Sequence, residues 1–326
     1  MTAYRLDVVI PCFNEDDNLP VTLPRIVSFL DEVQADPQIE MTQWRVILVD
    51  DGSTDKTWDC ILAHCVPGRI SGIKLSRNFG HQSAMLAGLT HADADAVITM
   101  DSDLQDDILV VRDMLLAFQN GFDLALGVRS ARDTDTAFKR GTARLYYRLL
   151  NAMGTDAVED HADYRLMSQR ALRALLAHDE VNLFIRGLIP AIGFRVSIIP
   201  YVRQAREIGE SKYTLRKMLL LAIDGITSFS VMPLRLIALI GVVVFMFALA
   251  TGGAVLVERL FFANRVVPGW ASILLPLLAL GGVQLLSLGV LGEYVGKIYL
   301  ETKRRPRFII ETVHDDTSAG DGDQRR

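Results

Sequence analysis

Cysteine is scarce in this chain. Cys12, Cys60 and Cys65 are the only three, an odd set without the paired spacing of a zinc site, which excludes a disulfide framework and agrees with a reducing compartment. They read as packing residues. An excess of positive charge is missing as well: 34 Lys and Arg stand against 39 Asp and Glu, for a net charge of −5 and a pI near 5.7. That balance gives no support to nucleic-acid binding, so no nucleic-acid partner is expected. No apolar leader opens the chain, where Thr2, Tyr4 and Arg5 precede a short strand-like run. A signal peptide is therefore not expected, and the large N-terminal part is expected to stay in the cytoplasm. Internal repeats are absent too.

Charge itself is missing from two long stretches. Residues 236–257 and 266–292 are 22 and 27 residues without a charged side chain, and they account for a 50% hydrophobic content and a mean hydropathy of +0.24. At about 1.5 Å per residue, either one as a helix exceeds a hydrocarbon core of ~30 Å. A two-helix hairpin across a membrane is the expectation. Arg216, Lys217 and Arg235 precede the first stretch, and Lys297, Lys303, Arg304, Arg305 and Arg307 follow the second. The connection between them holds Arg259 and Arg265, partly offset by Glu258. Positive residues tend to stay inside, so both termini are expected on the cytoplasmic side of a multi-pass protein of the cell inner membrane. Residues 213–229 mix Leu219, Leu220, Ile223 and Ile226 with Arg216, Lys217 and Asp224. This reads as an amphipathic helix, lying on the membrane or packed against the soluble domain. The expected organisation is a cytoplasmic domain over 1–210, a juxtamembrane helix over 211–232, the hairpin over 233–299 and a basic tail over 300–326 that is disordered from 315.

Within the first domain, short β-rich runs alternate with helical patterns, the signature of a mostly parallel sheet covered by helices. Strands are predicted at 6–10, 45–49, 72–75, 96–100 and 123–126, and helices at 19–33, 56–64, 82–92 and 107–120. Beyond 136 the alternation is less regular, with helices at 138–153 and 168–177. Ligands of such sheets bind beyond the carboxyl ends of the strands. The polar clusters fall there: Pro11–Glu15 after the first strand, Asp50–Asp55 after the second, Asp101–Asp106 after the fourth.

The strongest local signal is Asp101-Ser102-Asp103-Leu104-Gln105-Asp106. Carboxylates crowded on one turn repel one another unless a cation is present. A hard divalent ion meets that need, and Mg²⁺ in particular binds through one or two carboxylates plus substrate phosphates. Asp103 and Gln105 are the favoured ligands, with Asp101 close by. The alternative is a solvated acidic turn capping the next helix. In Asp50-Asp51-Gly52-Ser53-Thr54-Asp55, Ser53 or Asp55 can cap the following helix, or a carboxylate can accept hydrogen bonds from a base or ribose. With Pro11, Asn14 and Glu15 alongside, this loop can hold a nucleoside.

These residues resemble glycosyltransferase family 2 proteins of the GT-A fold, particularly the polyprenyl-phosphate sugar transferases related to dolichol-phosphate mannose synthase and the bactoprenol glucosyltransferases. The resemblance covers nearly the whole chain. It rests on Val8-Val9-Ile10-Pro11 with Asn14-Glu15, the two acidic loops, Ser76-Arg77-Asn78-Phe79-Gly80-His81-Gln82, Gly127-Val128-Arg129, Asp163-Tyr164-Arg165-Leu166, Arg186-Gly187, Gly209-Glu210-Ser211-Lys212-Tyr213, and Gly292-Glu293-Tyr294-Val295-Gly296-Lys297-Ile298-Tyr299. One departure stands out: relatives often carry prolines and a glutamate after the acidic turn, where this chain has Asp107-Ile108-Leu109, which leaves the start of the next helix open.

The resemblance implies an α/β GT-A catalytic domain and a hexosyltransferase that moves one sugar, with inversion, from a nucleotide sugar to an undecaprenyl or dolichyl phosphate, with Mg²⁺ or Mn²⁺. UDP-glucose leads among the donors, ahead of GDP-mannose and other UDP-sugars. By the same resemblance Pro11, Asn14, Glu15, Asp50 and Asp51 contact the nucleoside, and Asp101, Asp103 and Gln105 surround metal and diphosphate. Arg129 and Arg132 meet the phosphates; Arg206, Ser211 and Lys212 lie near the acceptor phosphate. A homotetramer is also implied. Asp163 reads as a positioning residue or a base, and Arg165 as a phosphate ligand, or the two as a structural ion pair. His81 orients a loop or substrate, or is a satisfied structural histidine. A processive polysaccharide synthase would carry more membrane helices and a Gln-x-x-Arg-Trp motif, which this chain lacks.

Overall fold

A computed structural model describes residues 3–129, 161–178, 180, 185–202, 232–261 and 270–315. The predicted helix at 138–153, the juxtamembrane segment up to residue 231, and Arg132, Arg206, Ser211 and Lys212 lie outside those residues. Two compact units are resolved, one formed chiefly by the N-terminal two-thirds with the C-terminal segment from Pro306, the other by 213–305.

In the first unit β1 (Tyr4–Cys12), α1 (Leu19–Ala35), β2 (Met41–Asp50), α2 (Thr57–His64), β3 (Ile70–Leu75), α3 (His81–His91), β4 (Ala96–Thr99), α4 (Val110–Gln119) and β5 (Leu124–Arg129) follow one another. Next come β6 (His161–Ser168), α5 (Gln169–Leu176), α6 (Ile185–Ala191), β7 (Val196–Tyr201) and, near the end of the chain, β8 (Ile310–His314). All eight strands join one sheet in the order β7-β5-β6-β4-β1-β2-β3-β8. The β4-β1-β2-β3 core is parallel, whereas β6 runs antiparallel to β4 and β5, and β8 antiparallel to β3.

Strand periodicity builds the core. Successive side chains of a strand point to opposite faces, so Val8 and Ile10 of β1 pack with Leu23, Ile26 and Met114 on one side. Val9 between them joins Ile47, Met85, Leu89 and Leu172 on the other. A sheet covered on both faces needs apolar residues at nearly every position, which is why β1 reads as a continuous run. Helix α4 starts at Val110, three residues after the predicted start; Asp107 precedes it and accepts the Leu109 N–H on Oδ1 at 3.0 Å.

Three strands, β6, β7 and β8, lie where the sequence pattern predicts none. β6 carries Asp163 and Arg165 in its middle, which breaks the apolar signal of a strand that is nonetheless buried. β8 corrects the expected basic tail: Ser76 N–H donates to the Ile309 carbonyl at 3.0 Å, Lys74 pairs with Glu311 at 3.5 Å, and the strand covers the edge that β3 would otherwise expose.

Asp123, at the start of β5, is buried and accepts hydrogen bonds from Ser168 Oγ at 2.9 Å and from two nitrogens of Arg170. The Arg170 bonds, followed by that of Ser168, hold its carboxyl below the ordinary carboxylate range. Its stabilisation is therefore full above the unfolded pKa of about 3.9 and lost as pH falls through the lower folded value. Asp123→Asn is expected to cost about 1–3 kcal/mol at pH 7. Thermal melts across pH check this, with the gap to the wild type closing below pH ~4.

The second unit holds α7 (Met232–Phe261, 30 residues) and α8 (Trp270–Thr302, 33 residues). Their side chains are described in shorter stretches, and among the described residues no helix is long and apolar enough to cross a membrane.

Candidate active site

The polar clusters converge beyond the carboxyl ends of β1, β2 and β4, joined by the first half of antiparallel β6. Loop one begins at Cys12, whose carbonyl accepts the Asp51 N–H at 2.9 Å. Pro11 is buried in β1 and shapes the loop rather than offering a polar group. Asn14 takes a left-handed φ of 55°. There its N–H reaches Ser53 Oγ at 3.0 Å and its Oδ1 accepts from Thr54 N–H at 2.9 Å. Glu15 N–H donates to Thr57 Oγ1 at 2.8 Å, while Oε2 accepts from Asn18 at 2.6 Å. The first two loops are thus one interlocked unit.

The adjacent aspartates of the second loop divide their tasks. Asp51 accepts Phe79 N–H at 2.7 Å on Oδ1 and Gly80 N–H at 2.9 Å on Oδ2, fixing the chain that leads into α3. Burial still holds its carboxyl above the usual carboxylate range. Asp50 is 0% exposed; Oδ1 accepts Ser53 N–H at 3.0 Å, and the enclosed Oδ2 has no hydrogen-bond partner. A buried acceptor without a donor is costly. Of the two residues expected at the nucleoside, Asp50 keeps one enclosed acceptor without a donor, and Asp51 is committed to the backbone of Phe79 and Gly80.

Beyond β4, the acidic turn is wound tightly. Leu104 holds φ at 49°, and Gln105 N–H closes onto Asp103 Oδ1 at 3.2 Å. Asp101 Oδ1 is enclosed without a hydrogen bond, with His81 Nε2 at 3.5 Å. Burial, with Asp106, Asp103 and Asp163 nearby, raises the Asp101 carboxyl, against the opposing pull of His81. His81 also stands 3.8 Å from Asp163 Oδ2 and is 45% exposed, which places it in the site. Gln105 is buried, with Nε2 lacking a partner.

Asp163 and Arg165 resolve to the ion pair that the sequence left as one reading. Arg165 Nη2 donates to Asp163 Oδ1, and Thr99 Oγ1 donates to the Asp163 carbonyl at 2.6 Å. Arg165 is 0% exposed. Arg129, at the end of β5, is 29% exposed at its side chain; Nε donates to Tyr201 Oη at 3.3 Å and Nη2 stands 3.6 Å from Asp106 Oδ1. Neither Asp106 nor Tyr201 was singled out by pattern, because β5 and β7 meet only in the folded sheet.

Among the described residues no three His, Cys, Asp or Glu side chains form a ready metal cage. The donor set still suits a divalent ion that takes one or two carboxylates and completes its shell with phosphate oxygens, because Asp101 Oδ1 is an enclosed carboxylate oxygen without a hydrogen bond.

A family model described as glycosyl transferase family 2 matches residues 7–176. The chain belongs to glycosyl transferase family 2. Among similar proteins, the uncharacterized glycosyltransferase YkoT of Bacillus subtilis (strain 168) is 42% identical over 309 residues, covering 94% of this chain and 91% of that one. The SfII prophage-derived bactoprenol glucosyl transferase of Shigella flexneri is 38% identical over 312 residues, 95% and 98% of the two chains. A prophage bactoprenol glucosyl transferase homolog of Escherichia coli (strain K12) is 37% identical over 311 residues, 95% and 99%. The family and the transferase activity implied by the motifs are thereby established, and the mostly parallel α/β sheet of this family 2 glycosyltransferase is GT-A-like.

Proposed function

We propose that this glycosyltransferase moves a single sugar from a nucleotide sugar, with UDP-glucose the first candidate, to a polyprenyl phosphate at the cytoplasmic face of the membrane, with inversion. The observation that carries the reading is an enclosed Asp101 oxygen without a hydrogen bond beside an Asp163 that is held by Arg165 and Thr99. The first suits a cation at a departing diphosphate. The second suits an acceptor that needs no strong base. A phosphate monoester, with a second pKa of about 6, is already mostly a dianion at neutral pH. Relatives named bactoprenol glucosyl transferases, similar over nearly the whole length, support the same acceptor class.

Asp101 and Asp103 would hold the metal, joined by Gln105 if its amide presents oxygen; a half-turn would instead direct its NH₂ at a phosphate oxygen. Bound Mg²⁺ or Mn²⁺ supplies positive charge to the leaving diphosphate. Asp50 Oδ2 would accept from the base, Asn14 and Glu15 shape that pocket, and Arg129 would meet the developing phosphate charge, joined by Arg132. Arg206, Ser211 and Lys212 complete the proposal as acceptor-phosphate residues.

For the membrane, the supporting facts are helix lengths of 30 and 33 residues, roughly 45 and 50 Å at 1.5 Å per residue, and exposed apolar side chains in their described stretches. Leu239, Val243 and Phe247 of α7 and Leu277, Leu285 and Leu288 of α8 are among these. Exposed apolar side chains on helices of this length suit a lipid environment. By the Lys/Arg asymmetry both termini would lie in the cytoplasm. Assembly as a homotetramer belongs to the same proposal, and light scattering in mild detergent that returns a monomer removes it.

The deciding assay offers radiolabelled UDP- and GDP-sugars with undecaprenyl phosphate in detergent, with Mg²⁺, Mn²⁺ or chelator. Label is expected in the lipid fraction from one donor, UDP-glucose above the others, and abolished by chelation. No labelled lipid from any donor with folded protein overturns the proposal.

A further inference from the structure

Tyr201 ends β7 directly beside Arg129 in the parallel register of β5 and β7. Its hydroxyl donates to Asp106 Oδ1 at 2.5 Å and accepts from Arg129 Nε at 3.3 Å. A phenol can do both at once, having one donor and acceptor lone pairs. The ring beneath is fixed. Tyr201 is buried, Tyr164 meets it edge-on with centroids 5.8 Å apart at 90°, and a Cβ at Gly127 would lie 3.1 Å from Tyr201 Cε1. Tyr164 in turn donates to the Asp107 carbonyl at 3.0 Å, so two neighbouring tyrosines hold the exit of the acidic turn.

The arrangement resolves a conflict between charges. Arg129 Nη2 stands 3.6 Å from Asp106 Oδ1, beyond the 2.7–2.9 Å of a charge-assisted hydrogen bond, although Asp106 is buried and Arg129 is the cation paired with it among the described residues. The position that a closing guanidinium would take on that oxygen is held by the Tyr201 hydroxyl. Burial and the nearby Asp106 carboxylate keep the phenol above its ordinary range, so it remains a donor at neutral pH.

We propose that Tyr201 is a positioning residue for sugar transfer: by satisfying Asp106 it stops Arg129 from closing into an internal ion pair and keeps the guanidinium directed at substrate phosphate. This rests on the reading of Arg129 as a phosphate-facing group. An arginine that answers charge developing in the leaving group acts more strongly in the transition state than on bound donor. Loss of its placement therefore falls on kcat more than on KM.

Four variants of the full-length protein in detergent test it, in the lipid-transfer assay and by thermal melting. Tyr201→Phe is expected to melt near the wild type, to lose about 10- to 100-fold in kcat, and to change donor KM by less than about threefold. Adding Asp106→Asn removes the anion on which Arg129 closes, so Tyr201→Phe/Asp106→Asn is expected to regain kcat over Tyr201→Phe alone. Arg129→Ala is expected to lose at least as much as Tyr201→Phe, and Arg129→Ala/Tyr201→Phe no more than Arg129→Ala. A wild-type kcat in Tyr201→Phe overturns the proposal, as does a loss that tracks a collapse in melting temperature without recovery in the double variant. Full activity in Arg129→Ala removes the reading of Arg129 and the proposal with it, whereas a loss confined to Arg129→Ala removes the proposal alone.

Discussion

Asp101→Asn is expected to lower sugar transfer by about a thousandfold or more while leaving the melting temperature unchanged or higher. The two effects have one cause. Asp101 Oδ1 is enclosed without a hydrogen bond, and its carboxyl is raised by burial and by Asp106, Asp103 and Asp163. A raised carboxyl marks an ionised form that the fold disfavours, so its cost is present above the folded pKa and absent below the unfolded one. Asparagine keeps the shape and removes the charge, which relieves the fold at neutral pH and deprives a cation of its anchor. A second readout separates this from general damage: Mn²⁺ should raise the melting temperature of the wild type and leave that of Asp101→Asn in place. An Asp101→Asn protein that keeps wild-type turnover, or that gains the same Mn²⁺ shift, would remove Asp101 from the metal site. Asp103→Asn is expected to follow the same pattern, with activity lost and the fold preserved.

The sheet was legible where local pattern and tertiary environment agree. β1 to β5 each contain a run of apolar residues ending in a polar cluster, and the acidic turn after β4 announced itself because clustered carboxylates have few structural uses. β6 was illegible for the opposite reason. Asp163 and Arg165 read as surface residues in a short window, and only the pairing with β4 and β5 shows that Arg165 is buried with its counter-ion beside it. β8 could not be placed from its own residues, because its partner β3 lies more than two hundred positions earlier. Roles within a motif were harder still. Asp50 and Asp51 are adjacent and chemically alike, yet consecutive side chains at a strand end diverge, one leaving an enclosed oxygen without a donor and one binding the backbone of Phe79 and Gly80. Asp106 and Tyr201 show the limit most clearly. Their hydrogen bond spans ninety-five positions, and no spacing rule links a turn after β4 to the end of β7.

Gly52→Ala is expected to destabilise the protein by about 3–5 kcal/mol and to weaken donor use beyond that loss. Gly52 holds a φ of 65°, which costs a residue with a Cβ about 1–2 kcal/mol. Strain is the smaller part. A Cβ here would lie 2.3 Å from the Arg77 carbonyl carbon and 2.5 Å from the Asn78 nitrogen, and backbone cannot swing aside as a side-chain tip can. The chain it would displace leads through Phe79 and Gly80, both held by Asp51, into His81 beside Asp101. One added methyl group therefore pushes the loop proposed to hold the nucleoside away from the helix that delivers His81, and donor KM should rise about tenfold at temperatures where the variant is still folded. Gly68→Ala is the control. Gly68 has a φ of 71° and nothing within 4 Å of an added Cβ, so it should cost only about 1 kcal/mol and leave donor KM unchanged. Melting curves and donor titrations on the two variants decide the matter: equal costs would mean that backbone conformation alone governs Gly52, and that the two loops are not held against each other.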